Sequence, residues 1–341
     1  MAQPAGPGGE PEARPTLRDW IAFAVIVALG GSSFAMIRGA VDTVPPSVVS
    51  VARLWVGAVF LYAVMKQAGR RFPPLVSDGA ITREWRWIAA VAIVGYVGPF
   101  FLYPWAQQYI ESGLAGVYMA FMPLFTMGLA YLFAGEALTA RKIAGFALGF
   151  IGVGVLLGPA AFSGAASSSL VAQLALLAAS LGYAGAAVIT RRAPTIRPRV
   201  FAAGTLLCAA TLSTPALFLF DLKADQWSLV GLLNVVGLGL GPTGLGGVLL
   251  IIIIQRVGAG FMALANYLTP AWAVIAGAIV FGERLEPFVF VALGVILAGV
   301  AVSQSGRRGS QRDASAQERD GVAAQDHAVA GDAAPDDAAA R

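Results

Sequence analysis

From residue 18 to residue 305 the chain is a succession of apolar stretches, each about twenty residues long and each closed by a short turn carrying Arg, Gly or Pro. A bilayer core of ~30 Å is crossed by about 20 apolar residues in a helix. In lipid every backbone polar group must be satisfied internally, which leaves helices or closed barrels. The pattern predicts ten helices, at 18–37, 45–66, 86–107, 112–134, 141–159, 170–190, 199–220, 228–254, 259–281 and 286–304. Composition agrees: 57% of residues are hydrophobic and 12% charged, about half the charge of a soluble domain. Mean hydropathy is +0.73.

Charge sets an expected orientation. With an even number of spans both termini share a side. On that side fall nineteen of the 23 Lys and Arg residues. Arg38, Lys223 and Arg284 fall on the other, and Arg53 lies within the second span. The positive-inside rule then puts both termini in the cytoplasm. The net charge of +4 lies between apolar runs, so it reads as topology and not as a nucleic-acid surface. The excess of Arg over Lys, with abundant Ala and Gly, points to a GC-rich bacterial gene and hence a bacterial cytoplasmic membrane.

The ends of the chain differ in kind. Residues 1–17 are polar and Pro/Gly-rich and lack the pattern of a removed signal peptide. Residues 305–341 are rich in Ala, Asp, Gln and Arg. Both are expected to be disordered cytoplasmic tails. The single cysteine, Cys208, excludes a disulfide within the chain, and the single histidine, His327, lies in the tail. No metal site and no cofactor are expected.

A repeat runs through the apolar region. At an offset of 147 residues Gln108 meets Gln255, Gly113 meets Gly260, Pro123 meets Pro270, and Gly135-Glu136 meets Gly282-Glu283, all without a gap. Apolar composition would match Ala, Leu and Val by chance, but not Gln, Pro and Glu in one frame. Residues 18–159 and 170–304 therefore read as two copies of a five-helix unit. Five is odd, so the second copy enters the membrane inverted. Inverted repeats are a mark of secondary transporters, with the substrate site near the midplane between the repeats. The expected fold class is an all-α membrane protein, with ten transmembrane helices as two inverted five-helix repeats around a central cavity.

Several segments carry a family resemblance: GGSSF at 30–34, PPSVVSVARLWVGA at 45–58, FMPLFTMGLAYLFAGEAL at 121–138 and LTPAWAVIAGAIVFGERL at 268–285. GFIGVGVLLGP at 149–159 and ALGVILAGVAV at 292–302 complete the two units. The chain resembles the drug/metabolite transporter (DMT) superfamily, specifically its EamA-type ten-helix members. The resemblance covers the ten spans and not the tails. It implies transport of small metabolites, often export of amino acids. One departure is that Gly30 or Gly31 replaces the usual Trp of the first-span motif.

Ionisable groups within a membrane are functional candidates by default, and here they are few. Arg53 is either an anion contact, a lock between helices, or a side chain that snorkels to the outer interface or pairs with a carbonyl. Glu136 and Glu283 stand at membrane edges, as caps of the following helix, partners of Arg141 or Arg284, or gates. Pro123, Pro242 and Pro270 remove backbone donors within spans. Pro242 lies in a run with seven Gly between 231 and 247, a pliable stretch suited to gating. Cavity candidates for substrate are Ser32, Ser33, Tyr96, Tyr103, Tyr118, Tyr183, Asn234, Asn266 and Tyr267, which orient a ligand without fixed charge.

These features point to a secondary transporter exporting small neutral or zwitterionic metabolites by alternating access. The alternative on the same fold is a multidrug or toxic-compound exporter. An intramembrane enzyme is not expected: a nucleophilic Ser would need an activating base, and the only His is in the tail. No phosphate-binding Gly-x-x-x-x-Gly-Lys motif is present, so the proton gradient or simple facilitation is left as the driving force. The expected partners are a small-molecule substrate, the lipid bilayer and protons as the coupling ion.

Overall fold

The computed structural model describes residues 15–134, 139–162, 168–219, 222, 224–262 and 264–303. Glu136, His327 and the tails up to residue 14 and from residue 304 lie outside the described residues. Helices occupy each of the apolar stretches. They are α1 (Leu17–Val41), α2 (Pro46–Gln67), α3 (Arg83–Ala106), α4 (Ser112–Phe133), α5 (Ala140–Phe162) and α6 (Ser168–Arg192). Then come α7 (Pro198–Phe218), α8 (Leu229–Val257), α9 (Ala265–Phe281) and α10 (Pro287–Ser303). Among the described residues seven helices, α1–α4 and α6–α8, are long and apolar enough to cross a membrane, and α9 and α10 are shorter apolar helices. The protein is a multi-pass helical membrane protein. Among the described residues a small hairpin of two two-residue strands, Val76–Ser77 with Ala80–Ile81, joins α2 to α3. Asp78 and Gly79 both take positive φ there, as a tight hairpin turn requires.

Large apolar side chains such as Val59, Leu132, Phe133, Ile151 and Leu174 are exposed on the bundle surface. For a helix in lipid this is the solvated face, and it explains why these segments are apolar all round. The interior pairs particular helices. α1 lies against α8 and α9, and α6 lies against α3 and α4. α2 packs on α7, and α4 packs on α9.

Two helices are broken in mid-course. In α3 the residues Ile93–Val97 form a π-turn, and in α8 Gly239–Leu245 form another. Gly98 N–H reaches back to Ile93 O, and Gly246 N–H to Gly241 O, five residues each. The second turn stands 147 residues after the first, one residue longer at each end. α4 is also interrupted: it stops at Met119 and restarts at Met122, just before Pro123.

Proline leaves a carbonyl without its helical donor, and one such carbonyl has been given a substitute. Pro104 cannot donate to Phe100 O. Ser50 of α2 does so, with Oγ 2.6 Å from Phe100 O and also 2.6 Å from Pro46 O in its own helix. That hydroxyl fixes α2 to α3 beside the centre of the bundle.

Candidate functional site

A cavity of about 840 Å³ lies between α1, α2, α3, α4, α6, α7, α8 and α9. Its wall reaches the α6–α7 connection at Ala193 and Pro194 and the end of α8 at Gln255. Thr190 and Gln255 there are exposed. No residue from 42–45, 107–111 or 282–286, the turns at the opposite end, belongs to the wall. The cavity therefore runs from mid-bundle to one end only.

The opposite end is held by Glu283. α9 stops because Gly282 takes the left-handed conformation (φ 65°, ψ 24°), its N–H bonded to Ala278 O at 3.0 Å. A non-glycine residue pays steric strain at that φ. The next residue, Glu283, then reaches the start of α4. Its Oε1 accepts from Ser112 N at 2.8 Å and Ser112 Oγ at 2.7 Å, and its Oε2 accepts from Gly113 N at 2.8 Å. The carboxylate satisfies donors that every helix N-terminus leaves open, and the helix dipole favours its charge. Gly277 makes room for it: a Cβ there would collide with Oε2 of Glu283. At the same end Arg38 donates to Gln107 O at 2.9 Å, joining α1 to α3. Glu111 sits nearby, outside the helices. Burial and then the charge of Glu283 push its pKa up, and Arg38 opposes them.

The cavity end is tied more lightly. Asp19 forms a capping box with Thr16 at the start of α1 and faces Arg256 of α8 at 3.4 Å. Arg256 is half exposed, so the pair is screened.

Arg53 sits at the centre. It is 7% exposed and lines the cavity. Its Nε donates to Thr243 Oγ1 at 2.9 Å, in the π-turn of α8. Its guanidinium lies 4.2 Å from the ring centre of Phe100, in α3 beyond the other π-turn. One cation thus touches both broken helices. Among the described residues no carboxylate lies within ion-pair distance of it, and no other charged residue is on the wall.

Aromatic rings surround this point. Tyr103 and Tyr183 stack with centres 6.0 Å apart, Tyr96 lies 5.3 Å from Phe100, and Phe34 lies 5.4 Å from Tyr103. Of the expected cavity residues, Ser33, Tyr96, Tyr103, Tyr183 and Asn266 line the wall. Pro242 and Pro270 do as well. Asn266 makes no side-chain hydrogen bond to the described residues, and Pro270 leaves its carbonyl without a helical donor. Ser33 is partly spent on Gly30 O at 2.5 Å.

The others are placed elsewhere. Ser32 accepts a hydrogen bond from Trp272 Nε1 at 2.9 Å. Tyr118 is fully buried and donates to Gln173 Oε1 at 2.8 Å. Asn234 sets its amide against Gly39 of α1, and Tyr267 packs on the core. Pro123 is not on the wall. Sequence reasoning passed over Phe100, Thr243, Ser50, Ser112 and Thr205. Thr205 lines the cavity with a buried hydroxyl that has no partner among the described residues. A signal existed for Thr243, which follows Pro242 in the glycine-rich run. None existed for Ser112 as the partner of a residue 171 positions away.

Known proteins show the same framework. The sequence model of the EamA-like transporter family matches twice, at residues 18–158 and 170–304. The chain belongs to the EamA-like transporter family. Members of this family are transporters and not enzymes. Similar proteins include a "Probable terminal-alkyne amino-acid exporter" of Streptantibioticus cattleyicolor, 25% identical over 86% of this chain and 96% of that one. The inner membrane transporter YedA of Escherichia coli K12 is 26% identical over 84% and 90%. The aromatic amino acid exporter YddG of Ancylobacter novellus is 24% identical over 80% and 92%. A crystal structure 23% identical aligns with a TM-score of 0.60, covering 84% of this EamA chain and 98% of the other, a likeness of fold alone.

Proposed function

We propose that this EamA-family chain is a secondary transporter that exports small neutral or zwitterionic metabolites such as amino acids by alternating access. One observation carries the reading: a cavity walled by two helices broken at equivalent points reaches one end of the bundle, while a carboxylate holds the other. Broken helices at mid-bundle are where such transporters build their sites.

The same reading takes the architecture as ten helices in two inverted units, 18–159 and 170–304. The neighbour pattern supports it. Exchanging the units, so that α1 takes the place of α6, α3 of α8 and α4 of α9, carries each named helix pair onto another named pair or onto itself. Both termini are assigned to the cytoplasm of a bacterial cell from the Arg and Lys distribution. The Glu283 end is then external, and the cavity opens inward, ready to load an exported substrate. Glu136, the counterpart of Glu283 in the first unit, is assigned the matching role when the other end closes. Protons are the coupling ion consistent with carboxylates at both gates.

The wall disfavours the multidrug alternative for cationic compounds, because the one charge among its described residues is the cation Arg53. Counterflow in liposomes separates the two. Purified protein is loaded with single amino acids, nucleosides or cationic dyes, and uptake of the labelled compound is followed. Exchange of an amino acid that is lost in a folded Asn266→Ala variant is the expected outcome. Exchange confined to bulky cationic dyes contradicts the reading.

A further inference from the structure

Arg53 is a cation held inside a membrane protein with no counter-charge among the described residues. Its five N–H groups form a rigid fork. Nε is engaged by Thr243, and the other four, on the two terminal nitrogens, have no acceptor among the described residues. The guanidinium plane is fixed from two sides, by the Thr243 hydroxyl and by the Phe100 ring. Phe100 in turn is held by Ser50 at its carbonyl. A charge at the bilayer centre is costly, and such groups are retained where they meet a partner. The fork is pre-organised to take two oxygens side by side.

We propose that Arg53 is the carboxylate-binding residue of the transport site, and that the substrate is a small monocarboxylate with an apolar or aromatic body. This rests on the transport reading above. The carboxylate takes the free edge of the guanidinium. The apolar body lies among Tyr96, Tyr103 and Tyr183, which line the same cavity. For an amino acid, the ammonium falls to uncharged acceptors such as the Asn266 side chain and its freed carbonyl, because no carboxylate is among the described residues of the wall. With the cavity open at one end, water solvates the empty fork. As the site is sealed for transport, the substrate replaces that water, so a carboxylate is required where an uncharged amide will not serve.

The test uses the full-length protein, purified in detergent, with phenylalanine, leucine and methionine and the carboxamide of each. Binding is read as the shift in unfolding temperature, and transport as counterflow in liposomes. At least one acid is expected to raise the unfolding temperature of the wild type while its amide does not. Arg53→Gln is expected to weaken that acid's binding about 10- to 100-fold. Arg53→Lys, which keeps charge but loses the fork, is expected to fall between them. Equal shifts from acid and amide, an undiminished shift in Arg53→Gln, or no shift from any acid each overturn the proposal. Should Arg53→Gln not fold, the acid-against-amide comparison in the wild type decides alone. Failure of the transport reading looks different: the acid binds with the expected Arg53 dependence, yet no liposome exchange occurs.

Discussion

The two ends of the bundle are held by different chemistry. At the closed end a carboxylate takes three hydrogen bonds of 2.7–2.8 Å from the start of α4, with Gly277 and Gly113 packed around it. At the cavity end a 3.4 Å ion pair, half exposed on its Arg256 side, joins α1 to α8. Three part-buried, charge-assisted bonds at a helix N-terminus are worth more than one ion pair whose Arg is half exposed. The comparison teaches which end is the latch in this conformation. It also explains the Gly282-Glu283 ending: the Gly stops one helix, and the Glu fastens the start of another.

Removing the latch should have the largest effect. Glu283→Ala leaves the Ser112 and Gly113 donors unpaired and should cost the closed end about 1–3 kcal/mol, read as a lower unfolding temperature in detergent. Glu136→Gln should not share this loss if its role belongs to the oppositely closed state. Gly277→Ala comes next. The new methyl occupies the place of the Glu283 carboxylate and should cost about 1–3 kcal/mol by the same measurement, with Glu283→Ala and Gly277→Ala together less than additive. Arg256→Ala at the other end should change stability by about 0–1 kcal/mol, and that change should shrink in high salt. An Arg256→Ala effect as large as that of Glu283→Ala would erase the contrast between the ends.

The smallest effect expected is on pH dependence. Glu111 has its pKa raised by burial and by Glu283, against the pull of Arg38. Its charged form is therefore the less favourable one in the folded protein. The penalty is present above the raised pKa, and it is relieved as pH falls through that value toward the ordinary 4.5. Unfolding temperature should rise slightly over that window in the wild type. Glu111→Gln should flatten this contribution, and an unchanged pH profile would assign it to another group.

Helix positions were legible in the sequence because a run of about twenty apolar residues admits few other structures in lipid. Rotation about each helix axis was not. Adjacent residues point about 100° apart, and a segment bathed in lipid carries no polar face to mark its inner side. Hence Ser33 faces the cavity while Ser32 meets Trp272, and Asn266 lines the wall while Tyr267 packs on the core. The π-turns were hidden for a related reason. Pro242 and its neighbouring glycines announced a weak helix, but IVGYV in α3 gave no comparable sign. Arg53 was visible as an anomaly. Its partners Thr243 and Phe100 come from other helices, 190 and 47 positions away, and no local pattern joins them.

The latch is tested most directly by accessibility. In a Cys208→Ala background, a single cysteine at position 266 is exposed to a membrane-impermeant maleimide in right-side-out and in inside-out vesicles. Labelling from the cytoplasmic side is expected with Glu283 intact, and Glu283→Gln should admit label from the outer side as well. Labelling of the Glu283-intact protein from the outer side alone, or outer access unaltered by Glu283→Gln, would contradict the assignment of Glu283 as the latch that closes the cavity.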